Sequence, residues 1–432
     1  MPGIVSARHA KRAWGKINCI YPSKEFLFRD YNKRIFSKTL ITVGYPLDPN
    51  LFTNNSSGKV ILTPTGYWAF IPAQLPPKLD WTPVLESAHT EAVKSLADYS
   101  AIIANYENDV KMLEKIQLYE SIFSSRIEGL NATVEDIYIS RFTETHGKHF
   151  RSTRPITNYA HALRYGVERL KTIPISLRFL LELHEILFSH IDSPQITPGE
   201  FRRSQNWIGQ MGVNFSEATY VPPPVNEMRL ALDNLERYIY DTSSYPDLIR
   251  IGLLHYQFEA IHPLLDGNGR IGRLLIQFLL YQYGLLPYPA MTLSAYFLRH
   301  HQEYYSNLLT VSQKGSWEKW LLFFLQGITE QSKRGISQLT QLCKLRSSVY
   351  EALDSIKTRK DMDMVGRFLL DQPIFNQNLM KKNFGFVHST ILLYSQELES
   401  HGLTREITGN KRNMLYQMDM IINEELNIFI NN

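Results

Sequence analysis

Apolar residues recur at helical spacing over two long stretches of this chain, and the rest of the pattern is arranged around them. Between Trp81 and Leu130, one stripe runs through Leu96, Tyr99, Ile103 and Tyr106 and a second through Leu113, Ile116 and Tyr119, which predicts helices that each bury one face. The second of these runs from about Lys111 and has Gly129 at its C-cap. From Ile175 to about Ile328 the chain reads as a dense, mostly helical block. Upstream, Ile35 to Val43 and Lys59 to Leu62 are strand-like and flank the turn Asn54-Asn55-Ser56-Ser57-Gly58, and Ile71 to Pro77 reads as a linker. Near the C-terminus, Asn376 to Asn383 and His388 to Ser400 read as helices, and Leu403 to Ile407 and Met414 to Met418 flank the turn Thr408-Gly409-Asn410. No internal repeat interrupts this order.

The helical block contains one run that carries chemistry: His262-Pro263-Leu264-Leu265-Asp266-Gly267-Asn268-Gly269-Arg270-Ile271-Gly272-Arg273. The apolar segments on either side, Gly252 to Ile261 and Leu274 to Leu280, both read as helices, so the run is a tight turn that opens a helix. The first N–H groups of a helix lack intrahelical partners and sit at the positive end of its dipole, so this start suits an anion. Arg270 and Arg273 share a face at (i, i+3), and His262 is the one group here that titrates near neutrality. A phosphate cradle with a base beside it follows.

Two other patterns overlap this run. Gly267 to Gly272 satisfies GxGxxG, but the preceding segment is helical and Leu286-Pro287-Tyr288-Pro289 carries no acid where a ribose ligand would stand. His255, Glu259 and His262 share a helix face without the His-Glu-x-x-His spacing of a zinc protease, so His255 and Glu259 read as braces for the loop.

The run resembles the signature of the Fic family, His-Pro-Phe-x-Asp/Glu-Gly-Asn-Gly-Arg-x-x-Arg, and departs from it only in Leu264, a packing position. The resemblance implies transfer of AMP from ATP to a protein hydroxyl, with His262 as general base. Asp266 would hold Mg²⁺. Gly267, Asn268, Gly269, Arg270 and Arg273 would bind the phosphates. Ser124-Ser125-Arg126-Ile127-Glu128-Gly129 is similar to the family's inhibitory motif, in which the glutamate, here Glu128, pairs with the second arginine, here Arg273. Asn206 to Gly209 and Ala218 to Pro224 read as a hairpin ended by prolines, and this resembles the family flap that seats the target segment over residues 206–222. Glu303 to Leu309 and Trp317 to Leu325 resemble the closing helices of the core; Tyr304 and Tyr305 stack near the adenine or serve as core aromatics.

The expected fold is therefore mainly α: a Fic-type helical bundle with a small β-hairpin flap and a C-terminal winged-helix domain. The divisions are a variable region over 1–75, a helical region with the inhibitory motif over 76–150, the core over 151–335, and a linker helix with the winged-helix-like unit over 336–432. The third helical segment of that unit, His388 to Ser400, has no Arg or Lys and two acids, against Lys411 and Arg412 on the wing. That balance argues for protein contact or a homodimer over DNA.

Composition adds limits. With 44% apolar and 20% charged residues the chain can bury a sizeable core, and a net charge of +4 is too mild to argue for nucleic acid. Cys19 and Cys343 fit a reducing, cytoplasmic setting without disulfides, and no apolar run reaches the length of a membrane helix. The basic start (Arg8, Lys11, Arg12, Lys16) lacks the apolar core of a secretory signal, and reads as a solvated tail before a transit peptide. Two rivals to auto-inhibited AMP transfer remain: the same fold moving another phosphate-linked group or removing AMP, and a nucleotide-sensing winged-helix regulator.

Overall fold

The computed structural model describes residues 17–19 and 47–431, apart from 55, 107–108, 143–147, 192–195, 211–214, 216–217, 355, 357–360 and 411–412. The strand-like run Ile35 to Val43, the basic residues before Ile17, and Lys411 and Arg412 lie outside the described residues.

The chain opens with β1 (Ile17–Cys19), followed by β2 (Gly58–Leu62) and β3 (Trp68–Pro72). The last two pair antiparallel from Gly58↔Pro72 to Leu62↔Trp68. The linker expected over Ile71 to Pro77 is therefore strand at its start. The chain turns back at once through Thr63 to Tyr67, with Gly66 at φ +85°. The hairpin also belongs to the core: Phe70 is fully buried and its N–H donates to the Val221 carbonyl, 2.9 Å.

The helical part begins with α1 (Pro83–Ala104) and α2 (Val110–Ile127), followed by α3 (Val134–Ser140), α4 (Lys148–Leu170) and α5 (Leu177–Leu187). Some of these starts have a local cause. Thr82 caps α1 ahead of Pro83, and Thr133 with Asp136 forms a reciprocal capping box on α3. After the short strand β4 (Ile208–Gln210) come α6 (Val225–Ile239), α7 (Asp247–Ile261), α8 (Asn268–Gln282), α9 (Leu293–Arg299), α10 (His301–Lys314) and α11 (Trp317–Asp354).

The helix α7 is buried nearly all round, and only Asp247 and Glu259 are partly exposed. A helix of that kind sits at the centre of a bundle. It packs against α6, α8 and α11, and the Gly252 carbonyl accepts from Trp320 Nε1 on α11 at 2.9 Å. The 38-residue α11 runs along α1, where Tyr99 lies against Gly335 so closely that a methyl there would stand 2.5 Å from the ring.

The C-terminal part comprises α12 (Met362–Asp371), β5 (Ile374–Phe375), α13 (Gln377–Phe384), α14 (His388–Ser400), β6 (Arg405–Glu406), β7 (Tyr416–Gln417) and α15 (Asp419–Leu426). Its sheet has the order β5-β7-β6, antiparallel throughout. The two helices match the expected ranges closely. The wing strands are shorter than expected, because the Glu406 carboxylate accepts from the N–H groups of Thr408 and Gly409, both at 2.8 Å, and closes the turn early. Among the described residues, no helix is long and apolar enough to cross a membrane.

Candidate active site

The run 262–273 joins α7 to α8 as a turn whose shape is imposed by its own side chains. Both amide atoms of Asn268 are spent on Leu264: Oδ1 accepts from its N–H at 2.8 Å and Nδ2 donates to its carbonyl at 2.9 Å. Asn268 is thus a loop-closing residue. Its Nδ2 carries a second N–H beyond the one given to the Leu264 carbonyl, and the residue also lines the cleft. His262 ends α7 in the left-handed region, φ 47°, ψ 58°, which a non-glycine residue adopts only when its surroundings hold it there.

Those surroundings come from the segment before the flap. Arg202, 1% exposed, donates from Nε to the His262 carbonyl at 3.0 Å, and Asn206 Nδ2 donates to the same oxygen at 3.2 Å and to the Leu264 carbonyl at 3.0 Å. Sequence reasoning gave Arg202 no role. An Arg-Arg pair in a polar segment signals exposure, and only the tertiary structure buries one of the two. His262 Nδ1 faces the Glu259 carbonyl at 3.3 Å, which places the lone pair on Nε2. Burial first, then the charge of Arg202, depress its imidazole to about 3, so the ring is neutral at pH 7.

The glycines serve two different needs. Gly267 has φ +79°, and any Cβ on it would meet the Phe188 ring at 2.8 Å. At Gly269 the need is space: a Cβ would stand 2.5 Å from Glu128 Oε1 and 2.8 Å from Arg273 Nη1.

Arg273 is nearly saturated by the end of α2. Its Nε donates to Ser124 Oγ at 2.9 Å, and its Nη2 donates to the Ser124 carbonyl at 3.0 Å and to Glu128 Oε1 at 2.7 Å. Its Nη1 is buried without a hydrogen-bond partner. The expected Glu128–Arg273 pair is therefore present, and Ser124, the first residue of the same motif, is its second anchor. Gly129 follows at φ +82°, and its N–H and that of Leu130 return to the carbonyls of Arg126 and Ser125. This turns the chain sharply after Glu128.

Arg270 stacks over the Phe188 ring, 5.0 Å to its centroid, with a buried Nε lacking a partner. Asp266, half exposed, accepts from the Gly267 N–H at 2.5 Å and lies 3.8 Å from Arg270 Nη2. The described residues bring His262, Asp266, Gly267, Asn268, Gly269, Arg273, Glu128, Tyr304 and Tyr305 to one cleft, with Ile208, Thr219 and Tyr220 of the flap on its rim. Tyr304 reaches it from the core: it is 1% exposed, its ring lies parallel to Phe297 at 4.5 Å, and its hydroxyl meets His255 Nε2 at 2.8 Å. Tyr304 is thus packed in the core while lining the cleft, and Tyr305 lines the same cleft beside it. His255 Nδ1 faces the Gly272 carbonyl at 3.1 Å, so both of its nitrogens brace helices and neither is left for a metal.

The flap differs from the expected hairpin. Its two limbs share a single bridge, Ile208↔Tyr220, and Tyr220 anchors the returning limb by donating to the Ala260 carbonyl at 2.8 Å. The other edge of β4 pairs antiparallel with β1, from Ile17↔Gln210 to Cys19↔Ile208. Val221 turns to Phe70 instead of to the flap, which is why the second limb never becomes a strand.

With this geometry in hand, the likeness to known proteins falls on the same residues. The Fic/DOC family model matches 174–280, and the Fic/DOC family N-terminal model matches 87–168. The protein adenylyltransferase Fic of Drosophila sechellia is 28% identical over 210 residues, which cover 47% of this chain and 40% of that protein. Its namesake in Drosophila yakuba is 28% identical over 215 residues, covering 48% and 41%. The chain thus spans about two fifths of the length of these curated relatives. The crystal structure of a Fic family protein from Desulfovibrio desulfuricans G20 superposes with a TM-score of 0.50 at 16% identity, covering 79% of this chain and 98% of that one, a likeness of fold. Two adjoining family matches, one over the helices that present Glu128 and one over the turn that presents His262, place Fic/DOC family sequence over 87–168 and 174–280 of this chain.

Proposed function

We propose that the chain is an auto-inhibited protein adenylyltransferase, transferring AMP from ATP to a hydroxyl of a target protein and to itself. The observation that carries this reading is the Glu128–Arg273 contact at 2.7 Å in a cleft that also holds His262. The named activity of the Drosophila relatives supports the chemistry.

The donor set suits a polyphosphate. Two buried guanidinium nitrogens, Arg270 Nε and Arg273 Nη1, lack partners beside the start of α8, where free N–H groups already favour an anion. Asp266 is the exposed carboxylate at that start and would hold Mg²⁺, which neutralises phosphate charge when bound. In the reaction the target oxygen attacks the α-phosphorus, the bond to the β-phosphate breaks and diphosphate leaves, while the hydroxyl proton passes to His262 Nε2. Negative phosphate charge beside the ring raises its basicity from the depressed value of the empty cleft. Arg202 and Asn206 keep the ring in its strained position, and the flap over 206–222 would seat the target segment beside it. Tyr305 stacks near the base, and Glu128 withholds Arg273 from the γ-phosphate.

Within this reading residues 76–150 supply the inhibitory helix, 151–335 the core and 336–432 a winged-helix-like unit. The order helix–strand–helix–helix–strand–strand supports the last. A cytoplasmic setting and contact with protein in preference to DNA complete the proposal. Incubation with Mg²⁺ and ATP labelled at the α-phosphate, compared with the γ-label, tests it. Label from the α-position alone, stronger in Glu128→Gly, is expected. Absence of α-label from every protein present, the enzyme included, overturns it.

A further inference from the structure

Glu259 stands one turn before His262 on α7 and lines the same cleft as Arg273 and Glu128. Its Oε1 is closed off from solvent and accepts no hydrogen bond. The carboxyl lies flat against α8: a Cβ on Gly272 would stand 2.2 Å from Oε1, with the His255 ring 3.3 Å away. An ionised carboxylate in that place would leave its share of the charge on an oxygen without a donor, a costly arrangement, whereas a neutral acid tolerates it.

The charges around it sharpen the point. Arg273 on α8, Glu128 at the end of α2, and Tyr304 and Tyr305 on α10 all act on Glu259 from the facing elements, with His255 and His262 on its own helix. Burial pushes the Glu259 carboxyl up to about 8, Arg273 draws it down and Glu128 raises it further. If Glu128 occupies the place of the γ-phosphate, then the phosphate that replaces it also faces Glu259. A carboxylate opposite a phosphate repels it; a protonated carboxyl donates to it.

We propose that Glu259 is a positioning residue that acts as a neutral acid, donating a hydrogen bond to the terminal phosphate of the nucleotide alongside Arg273. The proposal rests on the adenylyltransferase reading above for the placing of that phosphate, and it adds a ligand group which the signature run does not contain.

The test measures binding of MgATP by calorimetry to the full chain carrying Glu128→Gly, alone and combined with Glu259→Gln or Glu259→Leu. Leucine removes the donor and should weaken binding about tenfold, the size of a hydrogen bond to a charged group. Glutamine keeps an N–H donor and should restore binding to within about threefold of the Glu259 protein at pH 7. Between pH 7 and pH 9 the Glu259 protein should lose about tenfold in affinity beyond any loss in the glutamine variant, since only the acid can shed its proton. Tighter binding by Glu259→Gln with the same pH course would mean a repelling carboxylate and overturn the proposal. Equal weakening in both variants, without a difference in pH course, would reduce Glu259 to packing and overturn it as well. If MgATP binds but AMP is never transferred, the adenylyltransferase reading falls while the binding series still decides the role of Glu259; if MgATP does not bind, both fall.

Discussion

The imidazole of His262 is held by three constraints that no single residue could supply. A left-handed backbone points it into the cleft, the Glu259 carbonyl sets its tautomer, and the Arg202 guanidinium and Asn206 amide grip its carbonyl. Replacing His262 by Ala should lower AMP transfer by at least about 10²-fold while leaving ATP binding within a few-fold, because the base acts on the hydroxyl and other groups hold the phosphates. Steady-state rates and calorimetry on one preparation check both halves. Gly269→Ala carries a different expectation. Its methyl would press on Glu128 Oε1 and Arg273 Nη1 together, so the Glu128–Arg273 pair and ATP binding should both be lost. Tight ATP binding by that variant would show that the guanidinium can move aside. At this scale the sequence was most legible, since the type and spacing of residues 262–273 already named a cradle and a base. Asn268 was legible as a motif residue but its loop-closing part was not, because its two bonds to Leu264 exist only once the turn has formed.

The end of α2 and the start of α8 form one device. The helix presents Ser124 and Glu128 one turn apart, so both reach the same guanidinium. Glu128→Gly should raise self-modification, and Arg273→Ala should abolish that gain, since the group to be released is gone. Label incorporation in the single and double variants measures the coupling; equal activation in both backgrounds would show that Glu128 inhibits by another route. The Glu128–Arg273 pair was readable from a six-residue pattern because a helix fixes the geometry of its own neighbours. The flap was less readable. Its limbs were identified, but hairpin pairing depends on what else competes for each edge, and here Ile17–Cys19 and Phe70 take bonds that a simple hairpin would keep.

Across the whole molecule, α2 is fastened to the C-terminal part of the chain. Lys115 on α2 forms a buried ion pair with Glu425 on α15, the hydroxyls of Tyr119 and Tyr138 reach the other oxygen of that carboxylate at 3.4 and 3.3 Å, and Phe429 stacks on Tyr119 at 3.9 Å. Removing one member of such a pair leaves an uncompensated charge, so Glu425→Gln should cost about 3–5 kcal/mol, read as a lower denaturant midpoint. Replacement of both Lys115 and Glu425 by Met should recover most of that loss. Acid should also weaken the fold. Burial holds His255 and His262 down to about 3 and His184 to about 4, below the ordinary value of 6.5. At these histidines the unfolded chain binds more protons as pH falls below about 6.5, and each should lower stability by up to about 1.4 kcal/mol per pH unit, partly offset by Glu259 and Glu120, whose buried carboxyls are raised to about 8 and about 7 and keep their protons in the folded chain. A denaturation series from pH 7 to pH 5 checks the slope, and His255→Phe should flatten it.

What the sequence determined by itself was local: helices whose apolar stripes recur at a fixed period, a turn whose glycines and asparagine admit few conformations, and charges set at fixed intervals along one helix. The tertiary structure decided everything that depends on distant segments meeting. It buried Arg202 behind His262, packed Tyr304 into the core, turned the start of the expected linker into a strand against β2, and closed Lys115 on Glu425 across most of the chain. Helical periodicity acts over three or four residues and is written in neighbouring letters. The burial of a charge, the pairing of a strand edge and the protonation of Glu259 depend on partners that only folding brings together, and no spacing along the chain encodes them.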